Sequence, residues 1–110
     1  MKIRILIVLL FFINSIQAKD LFWIGNSGDW NNVNHWSYTS GGVSCGFIPT
    51  ASDNVVFDDN SFKSNGSAVN FTNASVLSLS YESSFSAEFL GHELIVAGDF
   101  LLQKYAYFNG

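Results

Sequence analysis

Cysteine, proline and charge are all scarce in this 110-residue chain, and each shortage removes a class of explanation. A single cysteine, Cys45, cannot form a disulfide within the chain, and two distant histidines, His35 and His92, without cysteine partners do not make a zinc site. Proline occurs once, at Pro49, and charged residues make up only 13% of the chain, while glycine and asparagine are plentiful. That mix suits short strands joined by tight turns. There is no P-loop, no G-x-S-x-G, no G-x-G-x-x-G after a strand and no C-x-x-C, so nothing in the chain argues for catalysis.

Long apolar runs are equally rare. The one that exists, Ile5–Ile13, follows Lys2 and Arg4 and leads into the more polar Asn14–Ala18. It is less than half the ~20 apolar residues a membrane span requires. The layout is that of a secretory signal peptide over 1–18, with cleavage expected after Ala18 and no membrane span left afterwards. Residues 19–110 then carry three lysines against nine acidic residues, a net charge of −6. Such a surface disfavours nucleic acid as a partner.

What is present in quantity is aromatic. All three tryptophans, Trp23, Trp30 and Trp36, fall within Phe22–Phe57, separated mainly by Gly, Asn, Ser and Asp. Rigid rings tied together by turn-forming residues predict a compact knot over 19–62 whose packing is aromatic. Asn31, Asn32 and Asn34 favour turns, so 29–36 reads as a loop, with Asp29 as a candidate cap. Pro49 breaks any local helix or central strand.

Beyond the knot the pattern changes to period two. Strands are expected near 54–57, 67–72, 75–81, 85–90, 93–97, 99–103 and 104–108, with turns at Gly66, Gly91 and Gly98. Leu77, Leu79 and Tyr81 should share one face, as should Phe85, Ala87 and Phe89, then Leu94 and Val96, Phe100 and Leu102, Tyr105 and Tyr107. No amphipathic helix of normal length is visible. The fold class is all-β, and the spacing fits either a small antiparallel β-sandwich or the rungs of a solenoid.

Candidate chemistry is confined to three groups. Asp53, Asp58, Asp59 and Asn60 form an oxygen-rich cluster suited to calcium, although they lack EF-hand spacing and Asp-Asp-Asn is also ordinary turn chemistry. Trp23, Trp30 and Trp36 could stack on sugar rings in a carbohydrate-binding module, or fill the miniature core of a cap. His35 suits a turn hydrogen bond better than a ligand role. Asp29, Glu82, Glu88, Glu93 and Asp99 supply carboxylates by count, but no spacing brings two together for glycoside hydrolysis.

The motifs Trp23-Ile-Gly-Asn-Ser-Gly-Asp-Trp30, Asn34-His-Trp36-Ser, Gly41-Gly42 and Pro49-Thr-Ala-Ser-Asp-Asn-Val-Val-Phe57 carry a resemblance. Together they resemble the N-terminal Trp/Gly-rich module of large secreted β-solenoid surface proteins of gliding Bacteroidetes. The resemblance implies a right-handed β-helix or solenoid begun by a Trp-rich cap, with strand repeats over 63–110. It implies an exported, non-catalytic structural or adhesive role at the cell surface, with no cofactor. The partner it implies is a surface polysaccharide or another cell-surface protein. The sequence stops in mid-pattern at Tyr105–Gly110 without a polar cap after the last strand, which leads to the expectation that the chain is an N-terminal piece of a longer repeat protein.

Overall fold

The computed structural model describes residues 18–102 and 105–109, so the signal expected over 1–18 lies, but for Ala18, outside the described residues. The period-two alternation becomes nine strands: β1 (Asp20–Trp23), β2 (Gly28–Asp29), β3 (Trp36–Ser37), β4 (Asn54–Phe57), β5 (Ser67–Val76), β6 (Ser78–Tyr81), β7 (Ala87–Val96), β8 (Phe100–Leu102) and β9 (Ala106–Asn109). A 3-10 turn, Val33–His35, is the one helical element among the described residues, and none is long and apolar enough to cross a membrane. The chain is all-β.

The strands form two sheets, ordered β3-β1-β4-β6-β8 and β2-β5-β7-β9. From β5 onward each strand lies in the sheet its predecessor does not. Every pairing except β1–β3 is parallel. A parallel pair needs a connection of a dozen or more residues, and here the connection is the intervening strand of the other sheet with its turns. Asn54 lies opposite Ser78 and Ser67 opposite Ala87, so like positions recur every ~20 residues, a period found in repeat architectures. The joining segments differ in length: 58–66 link β4 to β5, whereas only 82–86 link β6 to β7.

In-register parallel pairing stacks like on like. Leu21, Val55, Leu79 and Phe100 form one inward column, and Val69, Phe89 and Phe108 another. Facing rows meet in one core, where Phe57 of the first sheet touches Phe89 of the second edge-on at 4.9 Å between ring centroids. On the outside, Asp20, Asn54 and Ser78 make a polar column. Asn54 Nδ2 donates to Asp20 Oδ1 at 3.0 Å and Ser78 Oγ donates to Asn54 Oδ1 at 2.6 Å.

Several expected boundaries move. The segments expected at 67–72 and 75–81 rearrange into β5, which runs unbroken to Val76, and the shorter β6. Leu77 falls between these strands, with its side chain partly exposed rather than on the face of Leu79 and Tyr81. Likewise 85–90 and 93–97 merge into β7, so Gly91 and His92 lie inside a strand and not in a turn. The split was nevertheless a real signal. In β5 the inward phase passes from Ser67 and Val69 to Ala74 and Val76, and in β7 from Ala87 and Phe89 to Leu94 and Val96. Both strands change phase at the same height, so their hydrogen-bonded ladder continues through the change. Gly91 sits beside it because a Cβ there would lie 2.4 Å from the ring of Phe71, its register partner. The last strand also takes the other phase: Ala106 stacks on Ala87 and Phe108 on Phe89, leaving Tyr107 exposed.

Candidate functional site

The aromatic knot is the most highly constructed part of the molecule. β1 delivers Trp23, and the antiparallel return of β3 places Trp36 directly opposite it. Trp30 is carried by the segment after β2, where its N–H donates to Asn70 O of β5. The rings close on each other edge-to-face, Trp23 on Trp36 at 5.2 Å and Trp30 on Trp36 at 4.9 Å, and all three pack against Phe57. Each such pair contributes roughly 0.5–1.5 kcal/mol beyond its burial. Two indole donors are satisfied within the knot: Trp23 Nε1 donates to Asn26 O and Trp36 Nε1 to Trp30 O.

His35 completes the assembly. Its ring lies flat on Trp23 at 4.4 Å, and its Nδ1 is 2.6 Å from Ile24 O. A carbonyl can only accept, so Nδ1 carries the proton and donates. A hydrogen bond within the turn was expected from the sequence; the bond instead reaches back eleven residues to just past the end of β1. Gly28 makes room for the ring, since a Cβ there would fall 1.9 Å from His35 Nε2. The second glycine of the W-x-G-x-x-G pattern is therefore a seat for a side chain seven residues further on. The cap of the 3-10 turn is Asn32, whose Oδ1 accepts from Asn34 N, and not Asp29.

The sugar-stacking reading of the tryptophans requires open ring faces. Trp23 and Trp36 are 0% exposed and Trp30 is 2% exposed, so none offers a face to a saccharide. Their place is the core of the N-terminal end.

The oxygen-rich cluster does not assemble. Asp53 and Asp58 flank opposite ends of β4, about 16 Å apart at the usual rise of a strand. Asp53 Oδ2 accepts from the backbone and hydroxyl of Thr50. Asp58 accepts from Ser40 Oγ and Asn60 N, while Asn60 Nδ2 donates to Ser40 Oγ. Asp59 instead reaches the next repeat, accepting from the backbone N–H and hydroxyl of Ser84 and the hydroxyl of Ser83. The Ser84 N–H, followed by its hydroxyl, holds the Asp59 carboxyl below the usual carboxylate range, with Ser83 adding a smaller effect. Among the described residues, no three His, Cys, Asp or Glu side chains converge as a metal site would require. Asp53 locks a local turn, Asp58 and Asn60 tie their turn to Ser40 as well, and Asp59 ties it to the next repeat.

Nearby Tyr81 is buried in the core with its hydroxyl donating to Phe85 O at 2.6 Å. Burial pushes its pKa up to about 12; the Asp59 charge adds to this and a hydrogen bond with Ser83 opposes it.

One surface feature had no counterpart among the expected sites. Tyr38 and Phe47, which flank the glycine-rich loop, line a cleft of about 250 Å³ together with Lys19, Ile48, Thr50 and Asp53. Tyr38 is 44% exposed and Phe47 63% exposed. The Lys19 ammonium lies over the Tyr38 ring at 5.4 Å. A second hollow of about 390 Å³ adjoins, sharing Lys19 and Tyr38. The aromatic content of this loop was visible in the sequence, but the convergence of residues 19, 38, 47 and 53 depends on β1 and β4 lying side by side.

Comparison with protein-family models, with curated proteins and with solved structures finds no match for this chain.

Proposed function

We propose that the chain is a non-catalytic structural segment of a secreted or cell-surface bacterial repeat protein, in which a Trp-rich cap over 19–62 starts a right-handed β-solenoid continued by the strands of 63–110. The observation that carries this reading is the pair of parallel ladders, traversed alternately and in register at a period of about 20 residues. Parallel crossovers are right-handed in almost all known cases, which supports the handedness. The resemblance of residues 22–57 to the entry module of gliding-associated surface proteins supports the export and the structural or adhesive role. The partner is then a surface polysaccharide or another cell-surface protein, met by side chains on the outside of the coil.

Two measurements test this. Nitroxide labels at the register partners Val56 and Ser80 should report a separation of about one strand spacing, ~4.8 Å between backbones. Labels tens of ångströms apart would remove the coil. Antibody labelling of intact cells producing the full chain should find the mature protein outside the cytoplasm; retention inside, with residues 1–18 uncleaved, would remove the surface role.

A further inference from the structure

We propose that the cleft between Tyr38 and Phe47 is a saccharide-binding site. The inference does not need the coil to be a solenoid: it uses the loop after β3 and residues 19 and 53, which the single β1–β4 pairing brings together.

Two aromatic side chains that remain substantially exposed line one hollow. A sugar ring presents an apolar face of C–H groups, which a flat aromatic surface covers well, with hydroxyls around its rim. The cleft provides both kinds of contact. Phe47, Tyr38 and Ile48 are the apolar walls, whereas the Lys19 ammonium, the Thr50–Asp53 pair and the Tyr38 hydroxyl supply donors and acceptors. At about 250 Å³ the hollow lies just under the ~300–1,000 Å³ range of small-ligand pockets. The adjoining hollow continues it past Tyr38, which gives room for a second sugar residue and favours an oligosaccharide.

Competing ligand classes fit less well. An extended peptide recognised by strand addition needs a free backbone edge. Beside the cleft, Cys45 N already donates to Trp36 O of β3, and Asn54 N donates to Lys19 O. A wholly apolar ligand would strip water from Lys19 and Asp53 without replacing their hydrogen bonds. The net negative charge of the mature chain disfavours a polyanion held by charge alone.

The test is an NMR titration of the full secreted chain with four probes: cellohexaose, maltohexaose, chitohexaose and an oligogalacturonate. Each would be used at about 10 mM, which registers even a Kd on the order of 1 mM. Shifts confined to Lys19, Tyr38, Phe47 and their neighbours with at least one probe are expected. Tyr38→Ala and Phe47→Ala should each weaken binding about tenfold, the factor that corresponds to the loss of one aromatic contact of roughly 1.4 kcal/mol. Both side chains are exposed, so the variants should unfold like the parent. Val43→Ala is the control: it is 87% exposed in the same loop but does not line the cleft, and should bind as the parent does. No shift with any probe overturns the proposal. So does binding that survives in the double variant, or shifts produced by a tetrapeptide mixture but by no saccharide.

Discussion

At the end of the sheets nearest β1, side chains that point along the stack meet other side chains; at the end nearest β8 and β9, the equivalent side chains meet solvent. Trp23, Trp30 and Trp36 close the first end, β3 covers the edge of β1, and Trp30 reaches β5 through the backbone of Asn70. At the other end Phe100 and Leu102 continue the columns of Leu79 and Tyr81 yet remain 49% and 41% exposed. Phe108 stacks on Phe89 at 4.6 Å but is itself 40% exposed. Both ends present aromatic rings. They differ in whether a second layer lies over them, and burial is what converts apolar surface into stability. The contrast therefore locates the stability of the described structure toward the knot.

The severest way to break the contrast is Trp36→Ala. Removing a fully buried indole that contacts Trp23, Trp30 and Phe57 should cost about 3–5 kcal/mol in denaturant unfolding. A loss under about 1 kcal/mol would show that the knot is peripheral to the core. Gly28→Ala comes next. Its new methyl group would occupy the site of His35 Nε2, lifting the imidazole from Trp23 at a cost of roughly 1–3 kcal/mol. Pairing it with His35→Ala should recover part of that loss, which the same unfolding experiment would reveal.

Phe108→Ala probes the open end. The ring is held on one side only, so about 1–2 kcal/mol is expected, well below Trp36→Ala. Hydrogen exchange sharpens the comparison without mutation: amides of β8 and β9 should exchange faster than those of β1 and β4. The smallest effect concerns Tyr81. Its folded pKa is raised above the ordinary value of 10, so the folded state keeps the proton longer. The associated stability is fully present below pH 10 and is lost as pH rises toward 12, by something on the order of 1 kcal/mol after discounting for partial solvation of the hydroxyl. Tyr81→Phe should flatten that alkaline limb.

The same two regions show what could be read in advance. The knot was legible because its partners are close in sequence. Trp23, Gly28, Trp30, His35 and Trp36 span a few turns, although the seat Gly28 makes for His35 shows only in the structure. The strands were legible where one phase is apolar and the other polar, as in Ser78-Leu79-Ser80-Tyr81. They were misread where both phases are apolar. In Tyr105-Ala-Tyr-Phe108 either set could face inward, and the choice is made by the column, since Ala106 must sit on Ala87 and Phe108 on Phe89. Gly91 and His92 looked like a turn because glycine usually marks one, whereas here glycine yields space to Phe71 across the ladder. The roles of the carboxylates stayed open between a cation and turn chemistry for a related reason. Asp59 finds Ser83 and Ser84 a full repeat later, a pairing that no local spacing encodes.

The unequal links between the sheets carry one more consequence. Residues 58–66 and 82–86 occupy the same place in successive repeats, yet the longer link does not shift the register of the strands on either side. Chain length is thus decoupled from alignment at this corner. Foreign sequence inserted between the exposed Ser64 and Asn65, beyond buried Phe62, would be carried as an outward protrusion, while an odd number of residues inserted within β5 or β7 would turn the side chains that follow in that strand to the opposite face.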